Sequence, residues 1–305
     1  MKLNRINAFR IRGALCAAAL AATGAAAEPV LIETARGPVE APAGAARVVV
    51  FDMAALDTID ALGVQPVGVP EKVFIPFLEE AAAGAQSVGT LFEPDFEAVA
   101  ALEPDLIVVG GRSAAQFEAL AAIAPAIDMT IGDDTLLADA RARLDAYGAL
   151  FGRQEKAAEL AAALDAEVAA VREAVAGRGD ALIVLTNGPK VTAYGPGSRF
   201  DWIHSALGIE PAIADVEAAT HGEAISFEFI HQANPDWLLV VDRAGAIGEA
   251  AASARETLDN PLVAETTAWK NDQVVYLDAS PIYIAGGGVR SLGQTLGEIG
   301  AAFAE

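Results

Sequence analysis

Cysteine is almost absent from this chain: Cys16 is the only one among 305 residues. Leu15 precedes it, where a lipid-attachment signal would want a small residue, so lipidation is not expected. Beyond Cys16 there is no thiol, which excludes disulfides, thiolate metal sites and a thiol nucleophile together. Histidine is scarce as well, with three copies, and 20 basic residues face 42 acids. A net charge of −22 makes nucleic acid and anionic membranes poor partners. No apolar run reaches the roughly 20 residues that a membrane-spanning helix needs. The folded part is therefore expected to be soluble, with chemistry resting on oxygen and nitrogen groups.

The basic residues are unevenly placed. Lys2, Arg5, Arg10 and Arg12 open the chain with no acid among them, an Ala/Leu-rich run follows, and Ala25-Ala26-Ala27 precedes Glu28-Pro29. That layout is a cleavable secretory signal at residues 1–27. Its removal leaves 278 residues with 16 basic side chains against 42 acids, a balance of −26. Most of those acids are expected to form a solvated surface, so the positions of the few cations carry the information.

A length of 278 residues suits two domains of ordinary size. At the centre, Ala157, Leu160, Ala161, Leu164, Val168, Val171 and Val175 recur at helical spacing between Gly152 and Gly177. Residues 153–177 are therefore expected to form one long connecting helix between lobes at 28–152 and 178–305. On each side a β-rich run, RVVVF at 47–51 and ALIVL at 181–185, begins an alternation of helical and apolar stretches. Such alternation predicts two Rossmann-like α/β lobes with parallel sheets.

The halves also share a segment. FEAVAALEPDLIVVGGR (96–112) aligns without a gap on FEFIHQANPDWLLVVDR (227–243), with six identities in 17 positions. In each copy Phe-Glu opens a helix, Pro-Asp ends the connection, and a buried strand leads to an Arg at its carboxyl end, the edge where open α/β sheets bind ligands. Arg112 and Arg243 are thus expected to face one another across a cleft. A third arginine, Arg199, follows the Gly195-Pro196-Gly197 turn and leads into a helix near Phe200. Each alone could be a surface ion pair. Three together on so acidic a chain point to an anionic ligand held by charge-assisted, forked hydrogen bonds.

Two further side chains could serve a hard cation such as ferric iron. His221 lies in a polar loop, whereas His204 and His231 fall inside predicted helices; Tyr283 precedes Gly286-Gly287-Gly288 and the last helix. Exposure for the histidine and packing for the tyrosine are the plainer readings. A bound cation would lower the phenol's pKa, and the pair could complete the coordination of an iron that a chelator leaves unsaturated. The triple glycine lacks the Gly-Lys-Ser/Thr ending of a nucleotide loop and reads as a close-packed turn.

GPGSRFDWIH (195–204), THGEAISFEFIHQANPDWLLVVDRAGAIG (220–248) and YIAGGG (283–288) together resemble the periplasmic siderophore-binding proteins of ABC iron importers. The resemblance is specifically to the branch that binds catecholate chelates such as enterobactin fragments and petrobactin. The resemblance implies two α/β lobes bridged by one long helix, no permanent cofactor, and Fe3+ bound only as its siderophore complex. It implies that Arg112, Arg199 and Arg243 face the catecholate oxygens. His221 and Tyr283 would bind the iron directly when the chelator supplies only four donors. Glu97 and Glu228, equivalent within the repeat, would meet arginines of a permease dimer, with this chain acting as a monomer in the periplasm.

Two alternatives remain at this point. A haem-binding importer protein would use Tyr283 or His221 as axial ligand. A hydrolase would need an activated nucleophile, yet there is no Gly-x-Ser-x-Gly elbow and the histidines lack a recognisable serine or carboxylate pattern.

Overall fold

The computed structural model describes residues 28–133, 135–216, 222–249 and 252–304. The expected export signal at 1–27 and the candidate ligand His221 lie outside the described residues.

The described chain opens with an antiparallel hairpin of β1 (Val30–Thr34) and β2 (Gly37–Ala41). The first α/β sheet then alternates strands and helices: β3 (Val48–Val50), α1 (Met53–Ala61), β4 (Gly68–Val69), α2 (Glu79–Ala83), β5 (Gln86–Ser87), α3 (Phe96–Ala101), β6 (Leu106–Val109), α4 (Phe117–Ala121) and β7 (Ala126–Asp128). All its pairings are parallel, in the order β5-β4-β3-β6-β7. The order reverses direction at β3 and β6, both wholly buried, so the loops after them open the crevice where such sheets take ligands.

Two helices lead out of this lobe, α5 (Leu136–Leu150) and α6 (Gln154–Val175). At 22 residues, α6 is about 33 Å long. It buries Ala157, Ala161, Leu164, Val171 and Val175 of the expected stripe, with Leu160 and Val168 partly buried, and ends where Gly177 takes a φ of +71°.

The second sheet begins with β8 (Asp180–Asn187) and departs from a simple alternation. Gly188, at φ +57°, starts a two-residue turn into the antiparallel strand β9 (Lys190–Tyr194). Then come α7 (Asp201–Ser205), β10 (Glu210–Pro211), β11 (Glu223–Ile225), α8 (Phe227–Ala233), β12 (Trp237–Asp242) and α9 (Arg243–Ile247). Short helices α10 (Ala254–Leu258), α11 (Pro261–Ala264) and α12 (Thr267–Lys270) lead to β13 (Val274–Leu277), α13 (Ala279–Ile284) and α14 (Val289–Ala304). The expected parallel pairing holds for β8, β10, β12 and β13; β9 and β11 add an antiparallel flank. The shared segment keeps its element pattern in both copies: α3 and β6 match α8 and β12, capped by Asp95 and Ser226 respectively.

The last helix braces the two lobes. At its C-terminal end Phe303 stacks on Trp237 of β12, ring centroids 3.9 Å apart. At its N-terminal end it docks on α1 of the first lobe: the fully buried Asp57 accepts from the Ser291 N–H and from Arg290 Nε, each at 2.8 Å, and Asp60 accepts from the same guanidinium at 2.7 Å. Burial pushes the Asp57 carboxyl up, while Arg290 and the Ser291 N–H pull it part of the way back. Gly288 lies against this carboxylate and Gly287 (φ +95°) against Ile131, so a Cβ at either would collide with the first lobe. The triple glycine is thus a packed turn at the lobe contact. One buried apolar cluster runs unbroken from the first sheet through α5, α6 and α14 to the second.

Removing the Asp57 side chain leaves Arg290 and the start of α14 without their acceptor. Asp57→Ala is expected to lower the unfolding free energy by about 2–3 kcal/mol, discounted for the part-exposed Arg290. Asp57→Asn should cost less, because the amide oxygen still accepts from Ser291. Urea denaturation checks this, and equal losses in the two variants would show that the contact with Ser291 contributes nothing.

Candidate functional site

The carboxyl ends of the central strands in both sheets meet at one cleft. Arg112 leaves the first sheet two residues after Gly110, where the chain passes so close to Asp52, the N-cap of α1, that a Cβ on Gly110 would crowd its carboxyl group. Arg243 leaves the second sheet as the first residue of α9, capped by Asp242. Arg199 follows the 195–198 turn, closed by the Ser198 hydroxyl donating to the Gly195 carbonyl at 2.6 Å. Tyr283 is carried by α13.

All three arginines gather around Tyr283. Arg243 Nε donates to the phenol oxygen at 3.2 Å. The guanidinium of Arg199 stands 4.9 Å and that of Arg112 5.3 Å from the centre of the ring, within cation–π range. Arg112 also reaches across the cleft, donating to the carbonyls of Tyr283 at 2.8 Å and Ile284 at 3.2 Å. Arg243 Nη1 adds a contact to Asn187 Oδ1 at 3.4 Å, at the end of the neighbouring strand β8.

Negative charge close to the three is sparse. Among the described residues the only carboxylate within ion-pair distance of any of them is Glu249, 3.7 Å from Arg243. Burial and the nearby Arg199 push the Arg112 guanidinium below its usual range, opposed by Tyr283 and Asp52. Arg112 stays charged all the same, since a guanidinium does not deprotonate in proteins. The cluster therefore holds like charges at close quarters, and an anion among them would relieve the repulsion.

The phenol responds to the same field. Burial by itself pushes Tyr283 up, but the hydrogen bond from Arg243 and the charges of Arg199, Arg243 and Arg112 outweigh it and leave the group below its ordinary value. Two hollows flank the ring. One, of about 90 Å3, is lined by Asp52, Arg112, Met129, Asp133, Arg199 and Ile282 among others; the second, of about 340 Å3, is lined by Asn187, Lys190, Thr192, Tyr194 and Arg243.

Of the residues singled out from the sequence, Arg112, Arg199, Arg243 and Tyr283 thus come together. Glu97 and Glu228 do not join them: each is exposed in the first turn of its helix, α3 or α8. Hydrogen bonds to its own backbone N–H and to Ser226 hold the Glu228 carboxyl below the usual range. His204 is buried, with Nδ1 2.9 Å from the Ile209 carbonyl, and His231 lies 3.1 Å from Glu265, so both serve local structure. Among the described residues no group of three or more His, Cys, Asp or Glu is arranged to hold a metal ion. Sequence reading missed Asp52 and Asn187. Asp52 looks like an ordinary helix cap, and Asn187 carries no signal until β8 is paired with β12.

Comparison with known proteins gives a match to the periplasmic binding protein family over residues 48–281. The chain belongs to that family. Within it, the petrobactin-binding protein YclQ of Bacillus subtilis is 34% identical over 262 residues, covering 85% of this chain and 82% of YclQ. The crystal structure of YclQ superposes with a TM-score of 0.87, covering 91% of this chain and 99% of that one. The ferric-anguibactin-binding protein FatB of Vibrio anguillarum is 33% identical, covering 89% of this chain and 86% of FatB. A catecholate-siderophore binding protein of Vibrio cholerae, VctP, is 32% identical with a TM-score of 0.85, covering 90% of this chain and 100% of VctP. Two lobes on one helical backbone are the architecture this chain shares with these relatives.

Burial holds the other three tyrosines, Tyr147, Tyr194 and Tyr276, above their ordinary value. In a pH titration followed by phenolate absorbance, Tyr283 is therefore expected to ionise first. Tyr283→Phe should delete that earliest step and Arg243→Ala should move it to higher pH. An earliest step that survives Tyr283→Phe would show that the arginines do not set the phenol.

Proposed function

We propose that this chain is the exported binding protein of an ABC iron importer, which captures a ferric catecholate-type siderophore in the periplasm and delivers it to the permease. The observation that carries the reading is the convergence of Arg112, Arg199 and Arg243 on Tyr283, with one carboxylate in ion-pair reach among the described residues. A ferric catecholate is a compact anion with oxygen atoms on its surface, which suits forked guanidinium donors. The names of YclQ, FatB and VctP, covering petrobactin, ferric anguibactin and catecholate siderophores, support the same ligand class.

In this reading the chelate enters the cleft, displaces Arg112 from the Tyr283 and Ile284 carbonyls, and takes its donors. Tyr283, already lowered in pKa, supplies a phenolate oxygen to iron when the chelator provides only four donors, with His221 as its partner ligand. Iron is cargo, and no resident cofactor or turnover is involved. Residues 1–27 direct export. Glu97 and Glu228, both exposed, meet the permease dimer, one from each lobe of a monomer. The α14 brace limits lobe closure to a modest movement, so docking recognises a form close to the resting one.

Titration of the mature protein with ferric bis- and tris-catecholates, followed by the visible charge-transfer band, is expected to give 1:1 saturation with a Kd below about 1 μM. Arg243→Ala and Arg199→Ala should each weaken binding about tenfold or more, the scale of one lost charge-assisted hydrogen bond. Tyr283→Phe should shift the band of the bis-catecholate complex and leave that of the tris-catecholate complex unchanged. Absence of a saturable response with either chelate would overturn the assignment.

A further inference from the structure

A second contact crosses the cleft away from the arginines, and it ends on the same helix that carries one of them. Lys72, in the loop between β4 and α2, donates from Nζ to the Ile247 carbonyl at 2.8 Å. Ile247 is the last residue of α9, whose first residue is Arg243. The terminal carbonyls of a helix have no partner within it, and in this five-residue helix two of them are taken by side chains. Ser280 of α13 donates to the Ala246 carbonyl at 3.2 Å from within the same lobe, and Lys72 takes Ile247 from the opposite lobe. With Arg243 Nε on the phenol at the other end, α9 is held at both ends by partners that line the cleft.

The first-lobe side of this contact is built for the purpose. Phe74 takes a φ of +62°, a backbone conformation that a bulky residue adopts only when its surroundings impose it. Its ring comes to rest under the Lys72 ammonium, 4.6 Å from ring centre to Nζ. On the second-lobe side Gly248 caps α9 at φ +68°, and a Cβ there would lie 3.4 Å from Nζ. A hollow of about 550 Å3 lies beside the contact, lined by Glu71, Phe74, Pro76 and Glu79 from one lobe and Gly245 to Gly248 from the other. Lys72 is the bridge across that opening.

We infer that Lys72 is a positioning residue for the binding site: by clasping the C-terminal end of α9 from the opposite lobe, it keeps the cleft drawn together and Arg243 aimed at Tyr283 before any ligand arrives. This goes beyond the proposed ligand class and does not depend on it. Because Lys72 is exposed, the contact is weak enough to open and reclose as ligand passes. Its effect is to shift the balance between open and closed lobes rather than to lock either.

Two ligand-free measurements test it. The mature chain has no cysteine, so Glu80→Cys on α2 and Gln232→Cys on α8 can take a pair of spin labels without side reactions. Adding Lys72→Met should broaden the inter-label distance distribution toward longer values, and Lys72→Arg, which keeps a long cationic donor, should restore it. In the unlabelled protein, Lys72→Met should also move the earliest phenol titration to higher pH, since a loosened α9 no longer presses Arg243 on Tyr283; Lys72→Arg should not. If either the distance distribution or the phenol titration of Lys72→Met matches the parent protein, the inference fails. Failure of chelate binding in the unmodified chain would refute the proposed ligand class and leave both of these readouts standing.

Discussion

Three guanidinium groups within reach of one phenol repel one another, and the molecule has to hold them there without neutralising them. In water such an arrangement would cost little because screening is strong; partly buried in a cleft it costs more, and burial, followed by the nearby Arg199, holds the Arg112 guanidinium below its usual range. The surroundings meet that cost mostly with neutral partners, Glu249 at 3.7 Å from Arg243 being the one carboxylate in ion-pair reach among the described residues. Arg112 is held by two backbone carbonyls, Arg243 by a phenol and an amide, and Arg199 by an aromatic face. Dipoles of this kind orient a cation but leave its charge available to a ligand, whereas a close carboxylate would cancel it.

Holding charges in place requires a stiff frame, and the frame here is double. The connecting helix α6 carries the chain between lobes, and α14 returns alongside it, anchored at one end by Phe303 on Trp237 and at the other by the Asp57 cluster. An apolar cluster common to both lobes fills the space between. With so much surface shared, the walls of the cleft are held by the same packing that joins the lobes. A preformed anion site spends less of its binding free energy on ordering side chains than one assembled around the ligand.

The internal repeat is reused with different consequences on its two sides. In the first lobe the arginine after the strand crosses the cleft and is tied to the backbone of α13, so it depends on the lobes being together. In the second lobe the equivalent arginine contacts Tyr283 and Asn187 of its own lobe, while the far end of its helix meets Lys72 of the opposite lobe. The same local pattern therefore yields one arginine that reaches across the cleft and one that stays on its own side. The repeat's Glu97 and Glu228 are exposed in both copies, whereas Phe96 is exposed and Phe227 packs partly against the second lobe's core.

Much of this was legible before the fold was known. Helical spacing between Gly152 and Gly177 marked α6 almost to the residue, and the repeat marked the strands β6 and β12 with an arginine after each. Those features are local: a periodic apolar stripe, glycines at helix ends and a buried strand are written in neighbouring residues. The antiparallel strand β9 was passed over although its signal is local, the two-residue Gly188-Pro189 turn between β8 and β9, because a strand-helix alternation predicts parallel neighbours only. Asp52, Asn187 and Lys72 were not marked by anything near them. By itself the sequence determined the connecting helix, the repeated helix-strand segment and the shortage of cations, since these follow from residue type and period. Only the tertiary structure decided that Arg112, Arg199 and Arg243 share one phenol, because that rests on contacts between residues up to 171 positions apart, whose distances no local pattern encodes.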